Sequence, residues 1–181
     1  MLIKKIFYMR EFCLAIFIIL LFNACAINNQ NINSKPKDIH LNKINELRKE
    51  IISLSNKIDK EEARRVSTEA IIYSKHLANE YKIVKPALFH NTLINLNLKE
   101  KGYCYHYAND LMEHLKEKEF KSFYFIRAVS NKGEYFEHSS LVLTRDDISF
   151  NNSIVLDAWR NAGELFFSKV KDDKKYEWEI K

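Results

Sequence analysis

The chain predicts an α+β protein, helices first and an antiparallel sheet after them. Two observations carry this. Before Pro86, apolar residues recur at spacings of 3 and 4, as on one face of a helix. Beyond residue 121 the pattern changes to aromatic and β-branched runs joined by compact turn signals, as in hairpin-connected strands. At 181 residues the chain has room for one domain of ordinary size. Hydrophobic residues make up 46% of it, enough for a packed core, which argues against wholesale disorder. Three Gly and two Pro exclude collagen-like and low-complexity classes. The net charge of +5 arises from mixed charges and does not argue for a nucleic-acid partner.

The first segment reads as an export signal. Lys4, Lys5 and Arg10 precede residues 12–22, FCLAIFIILLF, an unbroken apolar run followed by Asn23-Ala24-Cys25. At about 1.5 Å per residue that run spans roughly 16 Å as a helix, short of a bilayer core of about 30 Å. A retained signal anchor is the alternative. Residues 25–40 are polar, lack an apolar period and are expected to form a flexible tether.

The domain proper is expected over residues 41–181, with a helical part at 41–85 and a core at 87–181. Ile44, Leu47, Ile51, Leu54 and Ile58 mark the first amphipathic helix. Asp59 followed by Glu62 resembles a capping box that opens a second, carrying Ala63, Val66, Ala70, Tyr73, Leu77 and Tyr81. Residues 88–98 are apolar but interrupted by Asn91, Asn95 and Asn97. Gly102 precedes a third helix over 103–118, whose apolar face gathers Cys104, Tyr107, Ala108, Leu111, Met112 and Leu115. Strands are predicted at 122–129, 135–144 and 153–159, with an edge strand at 176–180.

The three cysteines have different expected fates. Cys13 leaves with the signal, Cys25 lies at its end, and Cys104 remains as a lone thiol in the first turn of a helix. There the helix dipole and free N–H groups favour the thiolate, and the same groups suit an oxyanion. Position alone fits a small buried residue equally well. His138, in the second predicted strand, would act as base toward the thiol and as acid toward a leaving group. Asp157, ending the next strand, would orient the imidazole through its other nitrogen. Singly, each has a bland reading, a satisfied structural histidine and a turn-opening aspartate. Asn95 and Asn91 are candidate second oxyanion donors beside the Cys104 N–H, or turn caps. Trp159 would shield the His–Asp pair. Arg160 would bind a substrate carboxylate or form a surface ion pair. His106 stands two residues from Cys104, roughly 200° around a helix, and no second Cys-x-x-Cys or His-x-x-x-His element accompanies it. Neither a metal nor any other cofactor is expected.

Two resemblances add to this reading. Phe22-Asn23-Ala24-Cys25 resembles a bacterial lipoprotein signal, in which the Cys is lipidated and begins the mature chain. Ala26 is similar to the outer-membrane-sorted type. That implies a cell-envelope location with membrane attachment through Cys25. The segments GYCYHYANDL, EHSSLVL and VLDAWRNAG resemble the transglutaminase-like branch of the papain-like cysteine enzymes, over about residues 87–167. The resemblance implies a papain-like fold with the Cys-bearing helix packed on an antiparallel sheet. By position it makes Cys104 the nucleophile, His138 the base and Asp157 the orienter, acting on an amide through a thioester. Ala158 stands where family members carry Pro, and the carboxylate is retained. An envelope peptide, a peptidoglycan stem and a partner protein are open as substrates. Rival readings are a non-catalytic envelope lipoprotein that binds peptide or glycan, and a lipoprotein that binds metal through Cys104 and His138.

Overall fold

The computed structural model describes residues 36–181, so the expected signal, Cys13, Cys25 and most of the tether lie outside the described residues. The first helix, α1 (Pro36–Leu54), begins inside the expected tether. Pro is suited to a helix's first position, where the missing N–H costs no hydrogen bond. Leu47 and Ile51 are fully buried, and Ile58, last of the stripe, is buried in the turn that follows the helix. Helix α2 (Lys60–Glu80) is capped by Asp59, whose carboxylate accepts from the Glu61 and Glu62 N–H groups at 2.9 and 2.8 Å. Glu62 does not return to the cap as a capping box would. Its carboxylate accepts from the Lys121 and Ser122 N–H groups, at 2.9 and 2.8 Å, and ties the start of α2 to the run into the sheet.

Residues 88–98 hold a short helix, α3 (Ala87–Asn95), that sequence reading left unassigned. Its asparagines hid the period, and it buries only Ala87 and His90. His90 is wholly buried and joins two loops. Its Nδ1 accepts from the Val84 N–H at 3.1 Å, and its Nε2 meets the Lys101 carbonyl at 2.9 Å. Gly102 follows at φ +132°, and a Cβ there would lie 2.5 Å from the His90 ring. Only glycine fits that backbone and that approach.

Helix α4 (Cys104–Lys116) then packs on the sheet. The strands are β1 (Tyr124–Ser130), β2 (His138–Thr144), β3 (Ile154–Asp157), β4 (Phe166–Lys169) and β5 (Glu179–Ile180), ordered β4-β3-β2-β1-β5 and antiparallel throughout. The α+β class and the antiparallel sheet are as expected. The details differ in four places. Residues 135–137 belong to the turn before β2, β3 stops at Asp157, β4 is an additional strand, and the edge strand shrinks to two residues paired with Ala128 and Val129.

Strand alternation divides the core. Leu141, Leu143, Ile154 and Leu156 join Leu47, Ile51, Val66, Leu111 and Leu115 in a core between helices and sheet. Ala128, Val142 and Val155 point the other way, where Val170 and Trp178 of the C-terminal segment cover them. Every residue of β2 is therefore buried. Among the described residues no helix is long and apolar enough to cross a membrane.

Candidate active site

Cys104 opens α4, directly after Gly102, with its positive φ, and the cap residue Tyr103. No side chain of Tyr103 caps the helix. His106 turns back instead, its Nδ1 accepting from the Gly102 and Tyr103 N–H groups at 3.1 and 3.3 Å. That role requires an unprotonated Nδ1, and burial holds the imidazole pKa below its ordinary value despite nearby Asp110. His106 thus fixes the turn that presents Cys104. Among the described residues no group of three or more His, Cys, Asp or Glu is arranged to hold a metal ion.

The thiol is half-buried against the start of β2. Its Sγ accepts from the Ser139 N–H at 3.5 Å and lies 3.9 Å from the Glu137 carbonyl oxygen, on either side of His138. His138 and Asp157 stand at the first residue of β2 and the last of β3, neighbouring antiparallel strands, so their side chains meet at one end of the sheet. His138 Nε2 and Asp157 Oδ2 are 2.7 Å apart, with both side chains almost fully buried. His138 Nδ1 is buried and has no hydrogen-bond partner among the described residues.

Burial alone would push the His138 pKa down, because it penalises the cation. The charge and hydrogen bond of Asp157 oppose this, the nearby Cys104 adds to them, and the pKa is raised to about 9. The ionised Asp157 thus favours the protonated form of an imidazole that is also coupled to the thiol of Cys104. For Asp157, burial raises the pKa, but His138 and then Arg160 outweigh it and keep the carboxyl ionised.

Asp157 is saturated. Oδ1 accepts from the Trp159 and Arg160 N–H groups at 3.0 and 3.1 Å, and Oδ2 meets His138 and accepts from Arg160 Nε at 2.7 Å. Arg160 is not the surface ion pair of the sequence expectation. Its side chain is 6% exposed, and its other edge donates to Asp173 at 3.1 and 2.5 Å. Its cationic carbon sits 3.7 Å from the Phe166 ring centroid and 4.8 Å from that of Tyr176. Both edges and the face are engaged, which leaves no fork turned to a substrate carboxylate. Asp173 also accepts from the Trp178 indole N–H at 2.8 Å. The Trp178 ring returns to His138, 5.2 Å between centroids. His138, Asp157, Arg160, Asp173 and Trp178 therefore form a closed circuit.

Trp159 packs against His138 at 4.9 Å and Tyr176 at 4.4 Å, so three aromatic rings surround the imidazole. Sequence reading singled out Trp159 alone. Tyr176 and Trp178 carried a strand-like alternation, and Asp173 gave no signal beyond a charged turn. Asn91 and Asn95 line a cleft of about 530 Å³ that reaches Cys104. Asn91 Oδ1 accepts from the Trp159 indole at 3.4 Å, and Asn95 Oδ1 accepts from the Tyr103 hydroxyl. Behind the thiol, between Cys104, Tyr107, Ser139 and Trp159, there is no room for a water molecule. No family model matches this chain, and neither a curated protein nor a solved structure matches it.

Proposed function

We propose that the chain is a cysteine-dependent acyl-transfer enzyme of papain-like, transglutaminase-like fold, acting on an amide. The observation that carries this is the state of His138. Its Nε2 is held by a buried carboxylate while its buried Nδ1 has no partner and the thiol of Cys104 lies beside it. A purely structural histidine would have both nitrogens satisfied, as His90 does.

Cys104 Sγ, as thiolate, attacks the carbonyl carbon and forms a C–S bond. The carbonyl π pair moves to oxygen, on the side of the N-terminus of α4, the end of a helix that favours negative charge. The C–N bond then breaks, and His138 Nδ1 gives its proton to the departing amine, leaving a thioester. Water, or an amine acceptor, gives its proton to Nδ1 and attacks the thioester carbon. The thiolate leaves, and the imidazolium–thiolate pair is restored. Asp157 keeps Nε2 in one orientation and stabilises the imidazolium throughout. No cofactor enters these steps.

p-Nitrophenyl acetate tests this, because it can acylate a thiolate without a cognate binding site. The expected result is an acetyl thioester mapped to Cys104, cleaved by hydroxylamine, formed at least about tenfold more slowly in His138→Ala. Equal acylation of Cys104 in that variant would overturn the reading. We further propose an envelope location, supported by the lipoprotein-type signal ending at Cys25. Cys25→Ala is expected to release the chain from the membrane fraction, and retention after washing would count against lipid anchoring.

A further inference from the structure

We propose that the acyl donor is a peptide segment with a large apolar side chain beside the scissile amide, bound between α3 and the β1–β2 loop. This rests on the acyl-transfer reading above and names its substrate class. Access to the thiol is one-sided, since the space behind it admits no water. The approach is the cleft of about 530 Å³ whose walls include Leu88 and Asn91 of α3, Tyr105 of α4, and Tyr135 and Phe136 of the loop before β2.

These walls present apolar surface to solvent. Tyr135 is 89% exposed, Phe136 69%, Leu88 61% and Tyr105 44%. Large apolar groups gathered around a nucleophile are a recognition surface rather than scattered surface residues. The two loop rings support each other edge to face at 5.0 Å. The loop is braced by the Gly133 N–H donating to the Glu137 carboxylate at 2.9 Å.

Three acceptors at the cleft are already engaged. Asn95 Oδ1 is taken by Tyr103, Asn91 Oδ1 by Trp159, and the Glu137 carboxylate by the loop itself. Among the described residues, Glu137 is the one charged side chain lining the cleft, and no Lys or Arg lines it to select a carboxylate. An extended peptide needs only apolar contact for its side chain and N–H donors for its carbonyls, which the Asn91 and Asn95 amides can supply.

The test uses the purified full chain and a set of peptidyl vinyl sulfones that differ only in the residue beside the electrophile: Phe, Leu, Gly, Lys or Glu. The expected result is covalent labelling of Cys104 at least about tenfold faster with Phe or Leu than with Gly, Lys or Glu, as partial burial of such a side chain would give. In the double variant Tyr135→Ser, Phe136→Ser the Phe-to-Gly ratio is expected to collapse to about threefold or less. Cys104 labelled in a His138-dependent way, with Lys or Glu equal to or faster than Phe, would overturn this inference and leave the acyl-transfer reading standing. Labelling that His138→Ala leaves unchanged for every probe would overturn both.

Discussion

At the residue scale the protein turns on His138. Two opposing effects act on its charge. Burial disfavours the cation, and the ionised Asp157, 2.7 Å away, favours it. The carboxylate wins, because at that distance in a dry site the Coulomb and hydrogen-bond contributions exceed what desolvation takes away. The folded-state pKa of about 9 lies above the ordinary 6.5. Stabilisation from the protonated imidazole is therefore complete below about pH 6.5 and is lost as pH rises through about 9. Asp157→Asn removes the charge that raises it. NMR titration of His138 in that variant is expected to give a midpoint at or below 6.5, and one that stays near 9 would contradict this assignment. Cys104, His138 and Asp157 were legible in the sequence because each sits at the end of an element whose type could be read locally. Asp173, Tyr176 and Trp178 were not. Their contacts exist only once the C-terminal segment crosses the second face of the sheet, and no local pattern records that. The burial of Arg160 has the same origin: its second carboxylate is Asp173, 13 residues on.

At the element scale, the helices that could be read were those with a full apolar period and a cap, such as α2 behind Asp59. Helix α3 was illegible because two buried residues make no period. It is held by the His90 bridge rather than by an apolar face, and it supplies one wall of the cleft. The same bridge sets the entry to α4. Gly102→Ala would place a methyl group 2.5 Å from the His90 ring at a φ of +132°, so the His90 bridge or the turn must give way. The expected cost is about 1–3 kcal/mol by chemical denaturation, together with slower alkylation of Cys104 as the turn that presents it shifts. Unchanged stability and unchanged alkylation would show that the loop absorbs the methyl group. Turn residues also explain the strand errors. Tyr135 and Phe136 are strand-favouring residues, yet the Glu137 carboxylate closes the loop at Gly133, so pairing starts only at His138.

At the scale of the whole molecule, the sheet is the middle of three layers. Helices cover one face and the C-terminal segment the other, which is why β2 is buried along its length. The sequence predicted the helical layer and the sheet but read residues 176–180 as an edge strand. Most of that segment serves as a cover instead, with Tyr176 and Trp178 over His138 and only Glu179 and Ile180 paired to β1. This arrangement keeps the His–Asp pair dry while Cys104 stays reachable from the cleft on the other side of the thiol. The proposal that Cys104 and His138 act as a pair is tested most directly by the rate of Cys104 alkylation by iodoacetamide at neutral pH, followed by mass mapping in the wild-type chain and in His138→Ala. Labelling of Cys104 at least about tenfold slower in His138→Ala is the expected result. Equal rates in the two chains would contradict the pairing.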